Sequence, residues 1–131
     1  QKKVKVRKRY LYYIVFTWQS KFYMKQRKQN DVWRHLYDFF LKEDEAEKSF
    51  NEIFVKLDSL KNIAELKLES PLYKHVLTHQ QIFARFFVVN LSQELPSIFV
   101  EKHKLLLCDQ VQIDELPKPK LISNFLKDLS D

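Results

Sequence analysis

Apolar side chains run without a break from Tyr10 to Phe16, inside a segment (residues 4–18) whose first half is basic. An uninterrupted run rich in aromatic and β-branched residues predicts a central strand covered on both faces. Residues 19–21 read as a turn. Beyond it Phe22, Met24 and Gln26 alternate with Tyr23, Lys25 and Arg27, which predicts a strand over 22–27 that returns as a hairpin with a basic outer face. Residues 28–30 are a polar break, and residues 31–41 are aromatic-rich with strand character in their second half.

The period then changes from two to that of a helix. Asp44 is the expected N-cap with Glu47 as its capping-box partner, and Ala46, Phe50, Ile53, Phe54 and Leu57 fall on one face. Residues 59–65 read as a loop, 66–76 as a strand whose pairing Pro71 limits, and 82–91 as a second buried strand. Between these two strands, residues 73–81 form a hairpin tip in which His75 and His79 bracket Thr78. A loop follows over 92–97, then a short strand within 104–111 and a turn of helix over 111–116. Pro119 opens a final helix with a stripe of Leu121, Ile122, Phe125, Leu126 and Leu129. Strands mixed with two main helices, in neither a βαβ nor an all-β order, predict a single α+β domain on a mixed or antiparallel sheet spanning residues 1–131. The start at Gln1 suggests a fragment or a processed product.

Composition narrows the chemistry. The chain of 131 residues contains no glycine, so it can form neither a phosphate loop nor a dinucleotide fingerprint, both of which need backbone that only glycine supplies. Cys108 is the one cysteine, which leaves no disulfide framework, zinc knuckle or iron–sulfur cluster to build from these residues. No apolar run is long enough to cross a bilayer, and the basic start leads into only a short apolar stretch, unlike a signal peptide. The protein is therefore expected to be soluble and cytoplasmic. Net charge is +6, yet residues 1–28 hold ten of the 23 Lys/Arg and none of the 17 acids. Such a concentration is what a phosphate-facing surface requires, although basic strands also serve solubility alone.

Individual constellations are mostly poor catalysts. His75 and His79 lie about 13 Å apart on an extended strand, too far to share a metal, and no third ligand accompanies them. Thr78 and His79 are neighbours pointing to opposite faces of a strand, with no oxyanion loop. The acids Glu43, Asp44, Glu45 and Glu47 read as first-turn residues rather than a magnesium site. Basic residues interleaved with aromatics, Arg7-Lys8-Arg9-Tyr10 and Lys21-Phe22-Tyr23, fit nucleic-acid contact. The tip itself is either a polar turn that only reverses the chain or a ligand-contacting loop.

Taken together, Arg9-Tyr10, Gln26-Arg27-Lys28, the segment Asp31-Val32-Trp33-Arg34-His35-Leu36-Tyr37-Asp38-Phe39, the tip Lys74-His75-Val76-Leu77-Thr78-His79 and Leu116-Pro117-Lys118-Pro119 resemble the C-terminal domain of A/G-specific adenine DNA glycosylases, the MutY family. The resemblance covers nearly the whole chain. It implies a Nudix-like α+β fold that recognises 8-oxoguanine opposite adenine in double-stranded DNA, acting in base excision repair; nothing in the sequence argues against a monomer. The family's Phe-Ser-His loop maps to Leu77, Thr78 and His79 as lesion-recognition residues, with Leu in place of Phe and Thr in place of Ser. His35 and Phe40 stand where relatives tend to show Gly and Pro. Lys5, Arg7, Arg9, Arg27, Lys28, Lys74 and His75 are the expected DNA backbone contacts.

The resemblance also implies that this fragment has no catalytic residue, metal or cofactor of its own. Base excision would belong to a separate N-terminal domain carrying an iron–sulfur cluster. Nudix hydrolases need a glycine-bounded helix with an Arg-Glu and Glu-Glu metal cluster, and residues 43–57, the matching place, do not reproduce it. Two alternatives stay open, a nucleotide pyrophosphohydrolase of the Nudix type and a protein-interaction module on the same scaffold.

Overall fold

A computed structural model describes residues 5–131, so Val4 and the first two lysines lie outside the described residues. The molecule is built around two long strands. β1 (Arg7–Trp18) runs parallel to β7 (Gln80–Leu91) in an unbroken register from Arg7 opposite Gln80 to Thr17 opposite Asn90. The order is β1, β2 (Lys21–Gln26), β3 (Tyr37–Asp38), β4 (Phe40–Asp44), α1 (Phe50–Phe54), a 3-10 helix (Val55–Leu60), β5 (Ala64–Glu69), β6 (Tyr73–Leu77), β7, α2 (Ser97–His103), β8 (Leu106–Cys108), α3 (Gln110–Glu115) and α4 (Lys120–Ser130). The eight strands form a mixed sheet with four helices, the α+β architecture expected from the sequence.

The apolar runs of β1 and β7 are explained by two covers. One face presents Leu11, Tyr13, Val15, Ile82, Ala84 and Phe86 to Leu121, Ile122 and Phe125 of α4, with Phe86 and Phe125 stacked at 4.0 Å. The other face presents Tyr12, Ile14, Phe16, Phe87 and Val89 to Ile53 and to Leu57 and Leu60 of the 3-10 helix. A strand buried on both sides has no solvent face to carry polar residues, so the period of two disappears from its sequence. Along one edge of β7, β6 pairs with its first half and β5 with its second, the break falling at 70–72 around Pro71. Ser70, buried there, accepts from Phe86 N–H through its hydroxyl (2.9 Å) and donates its own N–H to the Phe86 carbonyl (2.8 Å), so the proline interrupts pairing without orphaning the ladder.

Several expectations need correction. The first helix does not start at Asp44, which pairs with Tyr10 at the end of β4 and accepts from the N–H groups of Glu45 and Ala46 (2.7 and 3.1 Å). Ser49 is the N-cap and Glu52 its capping-box partner. Sheet pairing with β1 outcompetes the local cap signal, and Ala46 is exposed rather than on the buried face. The supposed outer face of β2 is not outer, because Tyr23 is buried against the second core layer and Lys25 is half-buried. Helix α2 falls almost wholly on residues 98–103, between the expected loop and strand, where the sequence pattern predicts no element. The turns that lack glycine still use left-handed backbone, at Gln19 (φ 49°), Ser20 (φ 63°), His35 (φ 74°) and Lys104 (φ 56°). His35 therefore occupies a conformation suited to glycine, and its neighbours hold it there: its N–H donates to Arg27 O (2.9 Å) and its carbonyl accepts from Gln26 Nε2 (3.0 Å). No helix among the described residues is long and apolar enough to cross a membrane.

Candidate nucleic-acid interface

The β6–β7 hairpin closes with Leu77 opposite Gln80, leaving Thr78 and His79 as a two-residue tip, both exposed. The tip does not stand alone. Arg7 N–H donates to the carbonyl of His79 (3.0 Å), so the start of the basic strand is stitched to it, and Lys5 lies exposed just before. Leu77 is half-buried against the α4-side core, which makes the tip the end of a rigid ribbon. Alternation along β6 then divides its side chains. His75 and Leu77 lie towards the α4 side, His75 against the Trp33 ring at 5.6 Å. Lys74 lies on the opposite side, its ammonium 5.7 Å from the Phe83 ring, which itself stacks on Tyr10 at 5.3 Å.

Beside the tip is an open cavity of about 390 Å³ lined by Arg7, Arg9, Asn30, Asp31, Leu77 and Gln80 among others. Arg7 keeps most of its side chain in solvent, 3.9 Å from Glu43. Arg9 does not: it is 8% exposed, donating through Nε and Nη2 to the two oxygens of Glu43 (2.9 and 2.6 Å) and through Nη1 to Gln80 Oε1 (3.1 Å). Its guanidinium shapes the cavity wall and is not available as the exposed phosphate contact that the sequence led one to expect.

Arg27 departs further from expectation. β2 ends at Gln26, and one residue later the Arg27 side chain turns inward until only 1% of it is exposed. Its Nη1 donates to Asp38 Oδ2 (2.9 Å), the same oxygen that accepts from the Tyr13 hydroxyl (3.0 Å), and its Nη2 donates to Gln29 Oε1 (2.9 Å) and pairs with Asp31. Burial works against the Arg27 charge, but Tyr13 and Asp38 outweigh it and raise its pKa. Burial first, then the Asp38 charge, pushes the Tyr13 hydroxyl well above the usual phenol value. Lys25 Nζ lies 3.1 Å from Asp38 Oδ1, near enough for an ion pair yet without hydrogen-bond angles. The Gln26-Arg27 and Trp33-to-Phe39 segments are thus joined by a buried ionic knot under the 28–35 loop. Of the expected contacts, Lys5, Arg7 and Lys28 are exposed, Lys74 is exposed on the other side of the sheet, His75 is half-buried, and Arg9 and Arg27 are internal.

Asn30, Asp31, Glu43 and Gln80 reach this site without a sequence signal, since Glu43 and Gln80 stand far apart along the chain and only the sheet brings them together. A family profile described as the NUDIX domain matches residues 11–128. The chain belongs to the NUDIX domain family. No curated protein sequence shows a significant match. Among solved structures, the chain is similar to the solution structure of the E. coli ORF135 protein, at 12% identity and a TM-score of 0.57, over 93% of this chain and 91% of that one. At that identity the likeness concerns the fold alone.

In this Nudix domain three carboxylates of the segment 43–57 already have partners. Glu43 is held by Arg9, Asp44 Oδ1 accepts from two backbone amides, and Glu52 Oε1 accepts from the Ser49 N–H (3.1 Å). Among the described residues no three of His, Cys, Asp and Glu converge on a common centre.

Proposed function

We propose that this Nudix domain is a lesion-reading module, recognising 8-oxoguanine opposite adenine in duplex DNA on behalf of a catalytic domain elsewhere in an adenine DNA glycosylase. The observation that carries the reading is the exposed Thr78–His79 tip, hydrogen-bonded to the basic strand at Arg7 and flanked by an open cavity. Ordinary guanine presents N7 as an acceptor in the major groove, whereas 8-oxoguanine presents N7–H as a donor and O8 as a new acceptor. A hydroxyl can meet either edge, and the proposal assigns that role to the exposed Thr78. His79 supports the contact or holds a neighbouring phosphate, Leu77 packs beside the base, and Lys5, Arg7 and Lys28 supply exposed charge. Lys74 and His75 flank the same ribbon on its two sides.

The test is fluorescence anisotropy of the chain against three duplexes differing only in one pair, 8-oxoguanine:A, G:A or G:C, at two salt concentrations. Preference for the first duplex should survive added salt, because hydrogen bonds to base edges do not depend on counterion release as phosphate contacts do. Thr78→Ala should then remove roughly 1–3 kcal/mol of that preference while leaving affinity for G:C duplex little changed. Equal, steeply salt-sensitive binding to all three would overturn the reading. Family membership favours a second reading, nucleotide pyrophosphate hydrolysis, which requires divalent-metal-dependent release of phosphate or pyrophosphate from a nucleoside triphosphate. The engagement of Glu43, Asp44 and Glu52 weighs against it.

A further inference from the structure

β7 takes one whole edge of β1, so β2 and β4 must share the other. β2 follows β1 only through the hairpin, at Phe22 and Lys21, and then swings away to pair with β8 and β3, while β4 takes over from Ile14 to Tyr10. Between the diverging strands lies a cavity of about 260 Å³, closed at one end by the last turn of α2. Its walls carry Lys25 from the end of β2, Arg27 and Lys28 just beyond it, Glu43 from β4, His103 from the end of α2 and Lys104 from its C-cap. We propose that this cavity is a binding site for a phosphate group.

The charges around it are unequally spent. Glu43, the acid on its wall, is neutralised by Arg9, Arg27 by Asp38 and Asp31, and Lys25 by Asp38. Lys28 meets only the neutral Gln26 Oε1 (2.9 Å), and among the described residues neither it nor Lys104 joins an ion pair. Two exposed lysines thus line a concave space without an ion-pair partner, and a cleft walled by one sign of charge concentrates counter-ions. His103, also on the wall, sits among other cations. Its imidazole, wedged against Phe40 and Phe99 at 4.9 and 4.4 Å, has its pKa lowered by burial and then by Lys102, Lys42 and Lys25, with no acid among the causes. The carbonyl end of α2 would oppose an anion, but the Val100 and Glu101 carbonyls accept from the N–H groups of Leu105 and Lys104. At about 260 Å³ the cavity has room for a phosphate group.

The cavity also has a neighbour. Gln29 and Glu43 line both this space and the one beside the tip, so the two sites share a wall. A DNA strand engaged at Thr78 and continuing along that shared wall would bring a further phosphate towards Lys28 and Lys104. That source of the phosphate rests on the lesion-reading proposal, while the site itself does not. A free phosphate or a nucleotide is the other source of the same chemistry.

NMR spectra of the chain titrated with inorganic phosphate, against sodium chloride at matched ionic strength, test the site directly. The His103 ring and Lys104 amide resonances should move saturably with phosphate only, and a Lys28→Ser/Lys104→Ser variant, both positions being exposed, should keep its circular dichroism and lose those shifts. Shifts absent with phosphate, or equal with chloride, would overturn the site. With duplex DNA, the same variant should weaken binding to 8-oxoguanine:A and G:C duplexes alike, leave their ratio unchanged, and lower the slope of log affinity against log salt by about one for each ammonium group removed. Unchanged DNA affinity in a variant that no longer shows the phosphate shifts would overturn the DNA backbone as the source and leave a small phosphate ligand. A missing lesion preference in the unmutated chain would overturn the reading of the tip alone.

Discussion

Arg27 shows how much one side chain does when it is turned inward. With Asp38 at 0% exposure and Arg27 at 1%, each charge depends on the other, aided by the Tyr13 hydroxyl, Asp31 and Lys25. Truncating one partner of such a pair strands the other, which typically costs about 3–5 kcal/mol, whereas removing both charges together costs far less. Arg27→Met should therefore lower the unfolding free energy by that amount in urea titration, and the Arg27→Met/Asp38→Leu double variant should recover much of the loss. A small effect of Arg27→Met alone would mean that Lys25, 3.1 Å from the other Asp38 oxygen, suffices to hold the carboxylate. The Trp33 ring, 5.6 Å from the Arg27 guanidinium, lies over the same group and ties the 28–35 loop to it. In the sequence Arg27 has the look of an exposed base on an alternating strand. What its spacing cannot reveal is that the strand ends one residue earlier.

At the level of elements, the contest between local and tertiary signals is clearest after β4. Asp44 and Glu47 carry a capping-box spacing as good as that of Ser49 and Glu52, yet only the second is used. Asp44 is drawn into the sheet opposite Tyr10, and the Tyr12 hydroxyl accepts from the Lys48 N–H (2.7 Å), fixing the connection until Ser49 can start the helix. Ser49→Ala should then cost about 1 kcal/mol of stability, the usual worth of an N-cap. Asp44→Ala should cost less, since its oxygen accepts from exposed turn amides; thermal unfolding of the two variants would distinguish them, and the reverse order would restore the cap at Asp44. The β6–β7 ribbon is a second such element. Leu77 anchors it and the Arg7–His79 hydrogen bond braces it, so its tip is presented rather than left to wander.

For the molecule as a whole, the shared pair β1 and β7 makes the two core layers a single cooperative unit, because neither layer can open without exposing the other's strand. Trp33 is buried in the α4-side layer and Trp18 packs on the opposite one. Fluorescence from Trp18→Phe and Trp33→Phe variants, each leaving one reporter, should therefore give unfolding midpoints that agree with circular dichroism once each variant's own stability is taken into account. Separate transitions within one variant would mean that the layers unfold independently. The sequence by itself determined the α+β class, the two long buried strands, the hairpin tip at Thr78 and His79, the final helix and the membership that residues 11–128 carry, because these follow from periodicities and short motifs written over neighbouring positions. Only the tertiary structure decided that Arg9 and Arg27 are internal, that the first helix starts at Ser49, and that two cavities share the wall of Gln29 and Glu43. Those outcomes depend on which strands meet across tens of residues, and pairing energies between distant segments override the local preferences that a linear chain displays.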